Sequence, residues 1–438
     1  MPRFKPSREG ARLEVAESTK QYIVDGIRHV CGTYKKRLAG SQSERDAQAF
    51  FKKELEGYSD EVRMEDFTLR PAAFMGFIPI AICFVFISTA LFIFNQGNVA
   101  LALLGALLPL LSMLMFLFEF LFYRSFIDFL FPKRVSRNVY ATRKPAGEVK
   151  RRIIFGGHTD APYEWTLSHW GGKTLLAAGI GGAVVALLAA LVANIVNAVY
   201  TVAANAQGLG EFASKWQGGW LVWTILLLIT LFPGALMLFF INYKQVCEGA
   251  NDNLSANYIA MCVLKEMHES DVRFEHTEVG CLLTGSEESG LRGAKAFAKK
   301  HKAMLSDPAV ETVFVALDTM REIEELRVCN FGCTGTVKND KAVGDLIHDA
   351  ARACGIEMPD TELYPGAIDA EAFSMNGLRA SGFTGVSHDA MPYYHTRMDT
   401  PDNIDMDCIA LSLNICKEAA RIFDENGMAA YDKKRSNS

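Results

Sequence analysis

The sequence predicts an α/β domain, a mixed sheet flanked by helices, into which two transmembrane helical hairpins are inserted. Two observations predict it. Strand-like and helix-like runs alternate along the polar parts of the chain, the rhythm of a sheet covered by helices on both faces. Four other stretches, about 72–94, 99–118, 175–202 and 220–241, each supply the roughly 20 mostly apolar residues that cross a bilayer. Composition agrees: the chain has 438 residues, 50% of them hydrophobic, and a mean hydropathy of +0.11. That is high for a soluble protein and fits a soluble part joined to a membrane part.

In chain order, "STKQYIVDGIRHVCGTYKKR" has helical periodicity, and "SERDAQAFFKKELEGY" opens a second helix with Ser43 as its cap. "VRMEDFTL" alternates as a strand does. The first two apolar stretches are separated only by "NQGN" and read as a hairpin. "NVYATRKP" and "KRRIIFGGH" follow as a strand pair, and then comes the second hairpin, whose arms flank "AANAQGLGEFASKWQGG". Gly179, Gly181 and Gly182 lie in an apolar helix with no strand before them, so they suit close helix packing rather than a phosphate loop. The helix "DNLSANYIAMCVLKEMH" resumes the α/β rhythm. It continues through "FEHTEVGCLLTG", "SGLRGAKAFAKKH", "ETVFVALD", "ELRVCN", "KAVGDLIHDAARACG", "LRASGFTGVS" and a last helix from about Asn403, before a tail expected to be disordered. The expected division is a polar α/β domain from 1–70, 132–172 and 244–438, one hairpin at 71–131 and the other at 173–243.

A net charge of -5 and a pI near 6.0 leave no basic footprint for nucleic acid. Ten scattered cysteines, one in an apolar span, fit a reducing compartment. Cys329 and Cys333 lack a second pair or a nearby His for structural zinc. The opening residues lack the apolar core of a secretory signal. Arg70, Arg124, Lys133, Arg134, Arg137, Lys173 and Lys244 lie at the hairpin ends that face the polar segments. The opposite loops offer Lys215, offset by Glu211. The positive-inside rule then puts the polar domain in the cytoplasm of a cell, expected to be bacterial, with four spans in its membrane.

In open α/β sheets the working groups collect at the carboxyl ends of strands. His158 and Asp160 follow "RRIIFG", Glu287 and Glu288 follow "VGCLLTGS", and Asp318 follows "TVFVAL". Asp252 in "GANDNLSA" and His395 in "YYHTRMDT" stand on loops. Oxygen and imidazole ligands without a thiolate suit zinc or a similar divalent ion.

With these residues in view, the chain resembles metallopeptidase family 28, the zinc aminopeptidases. The resemblance is carried by "GGHTD", "ANDNLSA", "GSEESGLRGAKAF", "VALDTM", "AIDAEAF" and "YYHTRMDTPDNI", with "GTYKKRLAGSQSERDAQAFFKKEL" similar to the family's entry helices. It implies two zinc ions, one taking His158 and Asp318, the other Glu288 and His395, with Asp252 bridging. It also implies Glu287 as the proton carrier and Asp160 as the group that fixes His158. His388 in "GVSHDA" rivals His395, but only His395 is followed by "TRMDT". Asp369 stands where the family has Ser-Asp-His-x-x-Phe, with Ser and His replaced, and is expected to support the structure. "DTMREIEE" departs from the family's Gly soon after the strand-end Asp.

The activity so implied is an exopeptidase, foremost an aminopeptidase, acting on peptide or amide substrates near the membrane surface. A carboxypeptidase or other amidohydrolase of the family is the nearest alternative. A noncatalytic receptor would show decayed ligand positions, and here all five and the base are present. A transporter would need polar or charged residues within the spans, which read as nearly free of them apart from Glu119.

Overall fold

The computed structural model describes residues 5–208, 219–362, 366–386 and 393–436. His388 and the loop holding Glu211 and Lys215 lie outside the described residues. The chain divides into two compact units, one of residues 1–71, 132–164 and 244–438, the other of 72–131 and 165–243.

The first unit is built on a nine-stranded sheet. Its strands are β1 (Glu61–Leu69), β2 (Arg134–Arg143), β3 (Arg151–His158), β4 (Thr277–Thr284), β5 (Glu311–Asp318), β6 (Arg327–Gly332), β7 (Val337–Lys338), β8 (Asp360–Glu362) and β9 (Ala380–Thr384). They lie in the order β1-β2-β4-β3-β5-β9-β6-β8, with β7 on β6. The centre is parallel: β3 runs parallel to β4 and to β5, and β9 parallel to β5. The β1–β2 and β2–β4 pairs are antiparallel. The expected pairing of the strands at 138–145 and 150–158 therefore does not form, because β4 enters between β2 and β3 and bonds to both.

Burial on both faces explains the residues of the central strands. Ile153, Phe155, Val313, Val315 and Leu317 join one core with the helices Glu17–Thr33, Ala256–Glu269, Lys341–Ala353 and Met406–Asn426. Between these positions, Phe314 stacks on Phe373 of the helix Asp369–Ser374 with ring centroids 4.0 Å apart, and Tyr140 meets Phe297 of the helix Arg292–Lys300. The helix Gln42–Glu56 is capped by Ser41, whose side chain accepts the Glu44 N–H, not by Ser43, whose hydroxyl donates to the Lys35 carbonyl. The tail, expected to be disordered, is helical over Ala429–Ser436: Tyr431 is buried, and Asp432 takes the guanidinium of Arg379.

The second unit holds four helices long and apolar enough to cross a membrane by length and composition: Ala73–Phe94, Val99–Leu121, Thr166–Ala206 and Gly219–Phe239. The third starts before the expected 175, because a short helical segment precedes a break at Gly171 and Gly172, where Gly172 has φ +55°. Close packing accounts for two of its three further glycines. A Cβ on Gly182 would lie 2.4 Å from Pro233 Cβ and one on Gly179 2.7 Å from Leu167, whereas Gly181 faces open space. The spans are not free of polar side chains. Asn194, Asn197 and Thr201 are buried on one helical face, and Ser88 and Thr89 are buried on another helix. Glu119 is also buried, and its Oε1 accepts the N–H groups of Phe126 and Ile127.

Candidate metal centre

His158 is the last residue of β3 and Asp318 the last of its neighbour β5. Asp252 stands in the tight turn that opens the Ala256–Glu269 helix. Glu287 and Glu288 follow β4, in a turn entered through Ser286 and left through Gly290, both at positive φ. His395 lies on a turn after β9, at φ +52°.

These separate segments converge on Asp252. Its Oδ1 lies 3.1 Å from His158 Nε2 and its Oδ2 3.0 Å from His395 Nε2, so each carboxylate oxygen faces one imidazole. Asp318 Oδ2 is 3.8 Å and Glu287 Oε2 3.9 Å from His158 Nε2, while Glu288 Oε1 is 3.3 Å from His395 Nε2. The adjacent carboxylates of Glu287 and Glu288 thus diverge, one toward each histidine. His158, Asp252 and Glu288 offer ligand atoms all within 4.8 Å of one another.

Asp160 is fully buried and ties two of these segments together. Its Oδ1 lies 3.3 Å from His158 Nδ1 and accepts the Glu287 N–H at 2.9 Å, and its Oδ2 accepts the Glu288 N–H at 3.2 Å. Asp369, expected to be supporting structure, accepts the Thr284 hydroxyl at 2.5 Å.

Electrostatics favour a cationic occupant. Burial raises the pKa values of Glu287, Glu288 and Asp318, because a buried carboxylate loses its hydration and sits among like charges. Burial opposes charge on the histidines too, but the facing carboxylates outweigh it: His158 is raised, and His395 is raised to about 10. Asp252 is lowered, since the two imidazoles overcome its burial. A cluster that favours protons on its acids and charge on its imidazoles is one that divalent ions would neutralise. The spacing fits as well, because atoms about 2.0–2.2 Å from a tetrahedral zinc lie roughly 3.3–3.6 Å from one another.

Several contributors are not among the residues that the sequence singles out. Asp399 accepts the N–H groups of Asn251 and Asp252. Buried Arg37 donates to the carbonyls of Thr159 and Glu248, joining the segments that carry His158 and Asp252. Buried Glu44 accepts the N–H and hydroxyl of Ser286 and the N–H of Gly40, and burial pushes its pKa up to about 8. Only Asp399 had a local signal, four residues past His395.

Residues 239–420 match Peptidase family M28. This chain carries a Peptidase family M28 domain. The matched stretch holds Asp252, Glu287, Glu288, Asp318 and His395, while His158 and Asp160 precede it. The fold is similar to that of an aminopeptidase from Aneurinibacillus sp. strain AM-1, with TM-score 0.52, 14% identity and 94% of each chain covered. A glutaminyl cyclase from Fimbriiglobus ruber gives TM-score 0.52 at 14% identity, covering 93% of this chain and 97% of that one. BSAP, a zinc aminopeptidase from Bacillus subtilis, gives 0.51 at 12%, covering 93% and 95%. At these identities the likeness is one of fold. No curated protein matches the chain by sequence.

Proposed function

We propose that the protein is a membrane-anchored di-zinc exopeptidase that removes N-terminal residues from peptides. The observation that carries this reading is the two-sided carboxylate of Asp252, with an imidazole within about 3.1 Å of each oxygen, Asp318 near His158 and Glu288 near His395. In this reading His158 and Asp318 would hold one ion and His395 and Glu288 the other, with Asp252 available to both. Bound there, the ions would polarise the scissile carbonyl and make a water acidic enough to attack at neutral pH.

The chain's own residues supply the proton traffic. Glu287, whose pKa burial raises, takes the proton of the attacking water and passes it to the leaving amine. Asp160 fixes the backbone of Glu287 and the ring of His158, so that base and ligand keep their relative positions. A one-ion hydrolase or cyclase of the same family is the second reading, favoured by the close trio of His158, Asp252 and Glu288.

Metal analysis of the purified full-length protein, alongside turnover of aminoacyl-amide and N-terminal-glutamine peptide panels, separates the two. Two zinc ions per chain and release of free amino acids are expected, with Glu287→Gln keeping its metal and losing turnover. Equal turnover in the variant would remove Glu287 from its role, and a single ion with ring closure would favour a cyclase.

The length and apolar composition of the four helices support a membrane location, and the Lys and Arg distribution supports an M28 domain that faces the cytoplasm. A cysteine at Ser214 should then react with an impermeant reagent on intact cells; labelling only after lysis contradicts this orientation. The second apolar segment leaves the chain seven residues after His158 and returns nine before Asp252. These short connections motivate peptides near the membrane surface as substrates. Reconstituted protein should then cleave lipid-anchored peptides faster than the same peptides free in solution.

A further inference from the structure

We propose that Asp399 is a positioning residue that ties the His395 turn of the metal centre to the Asp252 turn. The inference rests on the two-ion reading above.

The His158 half is laced into the sheet. His158 and Asp318 end neighbouring parallel strands. Asn257 Nδ2 donates to the His158 carbonyl at 2.7 Å, and Asn253 Nδ2 donates to the Leu317 carbonyl at 3.0 Å. Asn253 Oδ1 accepts the Thr319 N–H at 3.2 Å, and the Thr319 hydroxyl donates to Asp318 Oδ1 at 2.7 Å. Each of these bonds joins the sheet to the 252–257 segment or closes within the sheet end. None uses the turn that carries His395.

In the His395 half Glu288 follows β4, whereas His395 itself stands on a turn and not at a strand end among the described residues. Four residues on, the fully buried Asp399 reaches back to the Asp252 turn. Its Oδ1 accepts the Asn251 N–H at 2.7 Å and Asn251 Nδ2 at 2.8 Å, and its Oδ2 accepts the Asp252 N–H at 3.1 Å. One carboxylate therefore couples the His395 turn to the residue whose own Oδ2 faces His395 Nε2. Asn251 Nδ2 also donates to the Asn403 carbonyl at 3.2 Å, downstream of the same turn. Arg397 forks onto Glu164 at 2.6 and 2.7 Å, and Arg321 donates to Asn403 at 3.0 Å. Neither touches Asp252. Three bonds to a buried anion, two of them from backbone N–H groups, fix a turn more firmly than neutral acceptors do. A side chain that served only to stabilise the fold would not discriminate between two ions.

The test is a zinc titration of the full-length protein, stripped of metal in detergent, against a competing chelating dye, with thermal unfolding of the metal-free form as a check on folding. Wild type is expected to take two ions. Asp399→Asn, which keeps one acceptor oxygen and turns an N–H donor toward another donor, should hold one ion as wild type does and bind the other about 10- to 100-fold more weakly. Asn251→Ala removes one of the three bonds and should weaken the same ion by less, about 3- to 10-fold, which keeps the test open if Asp399→Asn does not fold. In a His395→Ala background Asp399→Asn should leave the remaining ion's affinity unchanged, and in a His158→Ala background it should lower it. Equal weakening of both ions, no weakening, or a further loss in the His395→Ala background would overturn the inference. A wild type that takes a single ion overturns the two-ion reading instead, and this inference with it.

Discussion

Asp160→Asn keeps the size of a buried side chain and removes its charge. In the wild type the two carboxylate oxygens accept the N–H groups of Glu287 and Glu288 at 2.9 and 3.2 Å, with His158 Nδ1 at 3.3 Å from Oδ1. Asparagine offers one acceptor oxygen, so one backbone donor faces an amide NH2 instead. A hydrogen bond to a charged acceptor contributes about 1.5–3 kcal/mol, and a stranded buried donor costs about 1–3 kcal/mol. At about 1.4 kcal/mol per factor of ten, a net cost near 2 kcal/mol felt at Glu287 lowers kcat/KM roughly 30-fold. The loss should fall mainly in kcat, because Glu287 acts on the reacting atoms and not on the distant parts of the substrate. The assay is turnover of an aminoacyl-amide series by the full-length protein, with metal content measured on the same sample. A variant that keeps its metal and stays within about twofold of wild type in kcat/KM would refute the role given to Asp160.

Other perturbations test other links. Chelation should abolish hydrolysis and lower the melting temperature, since the buried carboxylates of Asp252 and Asp318 and the partly buried one of Glu288 lose their neutralising partners; added zinc should restore both, and a chelated protein of unchanged melting temperature would count against a bound metal. Gly293→Ala places a Cβ 2.2 Å from the Gly285 carbonyl oxygen and 2.6 Å from Asn138 Oδ1, against the start of the turn that carries Glu287, so it should cost about 1–3 kcal/mol and reduce turnover. An unchanged unfolding midpoint would show that this packing gives way freely. Glu371 supplies a pH dependence away from the metal centre: burial pushes its pKa from 4.5 up to about 7, against bonds from Asn339 Nδ2 and the Ile368 N–H. Because the folded pKa is the higher one, this contribution is fully present below pH 4.5 and lost as pH rises through about 7, a change on the order of 3 kcal/mol. Urea midpoints at pH 5 and pH 8 should differ less in Glu371→Gln than in wild type.

The positions of the candidate ligands were legible because each follows a recognisable strand or stands in a short loop with its own residue pattern. Strand ends are where an open α/β sheet gathers polar groups, so His158 and Asp318 could be named before their neighbours were known. What holds those residues in place was not legible. Arg37 and Glu44 act on segments more than 120 positions away, through contacts that no local pattern encodes. Asp399 lay in view within "TRMDT" but had no visible partner until the turn folded back onto Asn251. Sheet order failed similarly at β2 and β3, which are close in sequence yet separated by β4. Ser41 and Ser43 are equally good caps by composition, and the backbone chose the first by placing its hydroxyl near the Glu44 N–H. In the apolar helices, isolated polar letters such as Asn194 and Thr201 looked incidental, and only the shared helical face shows them turned inward together.

The most direct measurement is anomalous diffraction at the zinc edge from crystals of the zinc-loaded full-length protein. Two peaks about 3.5–4 Å apart, one on each side of the Asp252 carboxylate and next to His158 and His395 respectively, are expected. Peaks away from Asp252, or none among these five side chains, would contradict the two-ion centre.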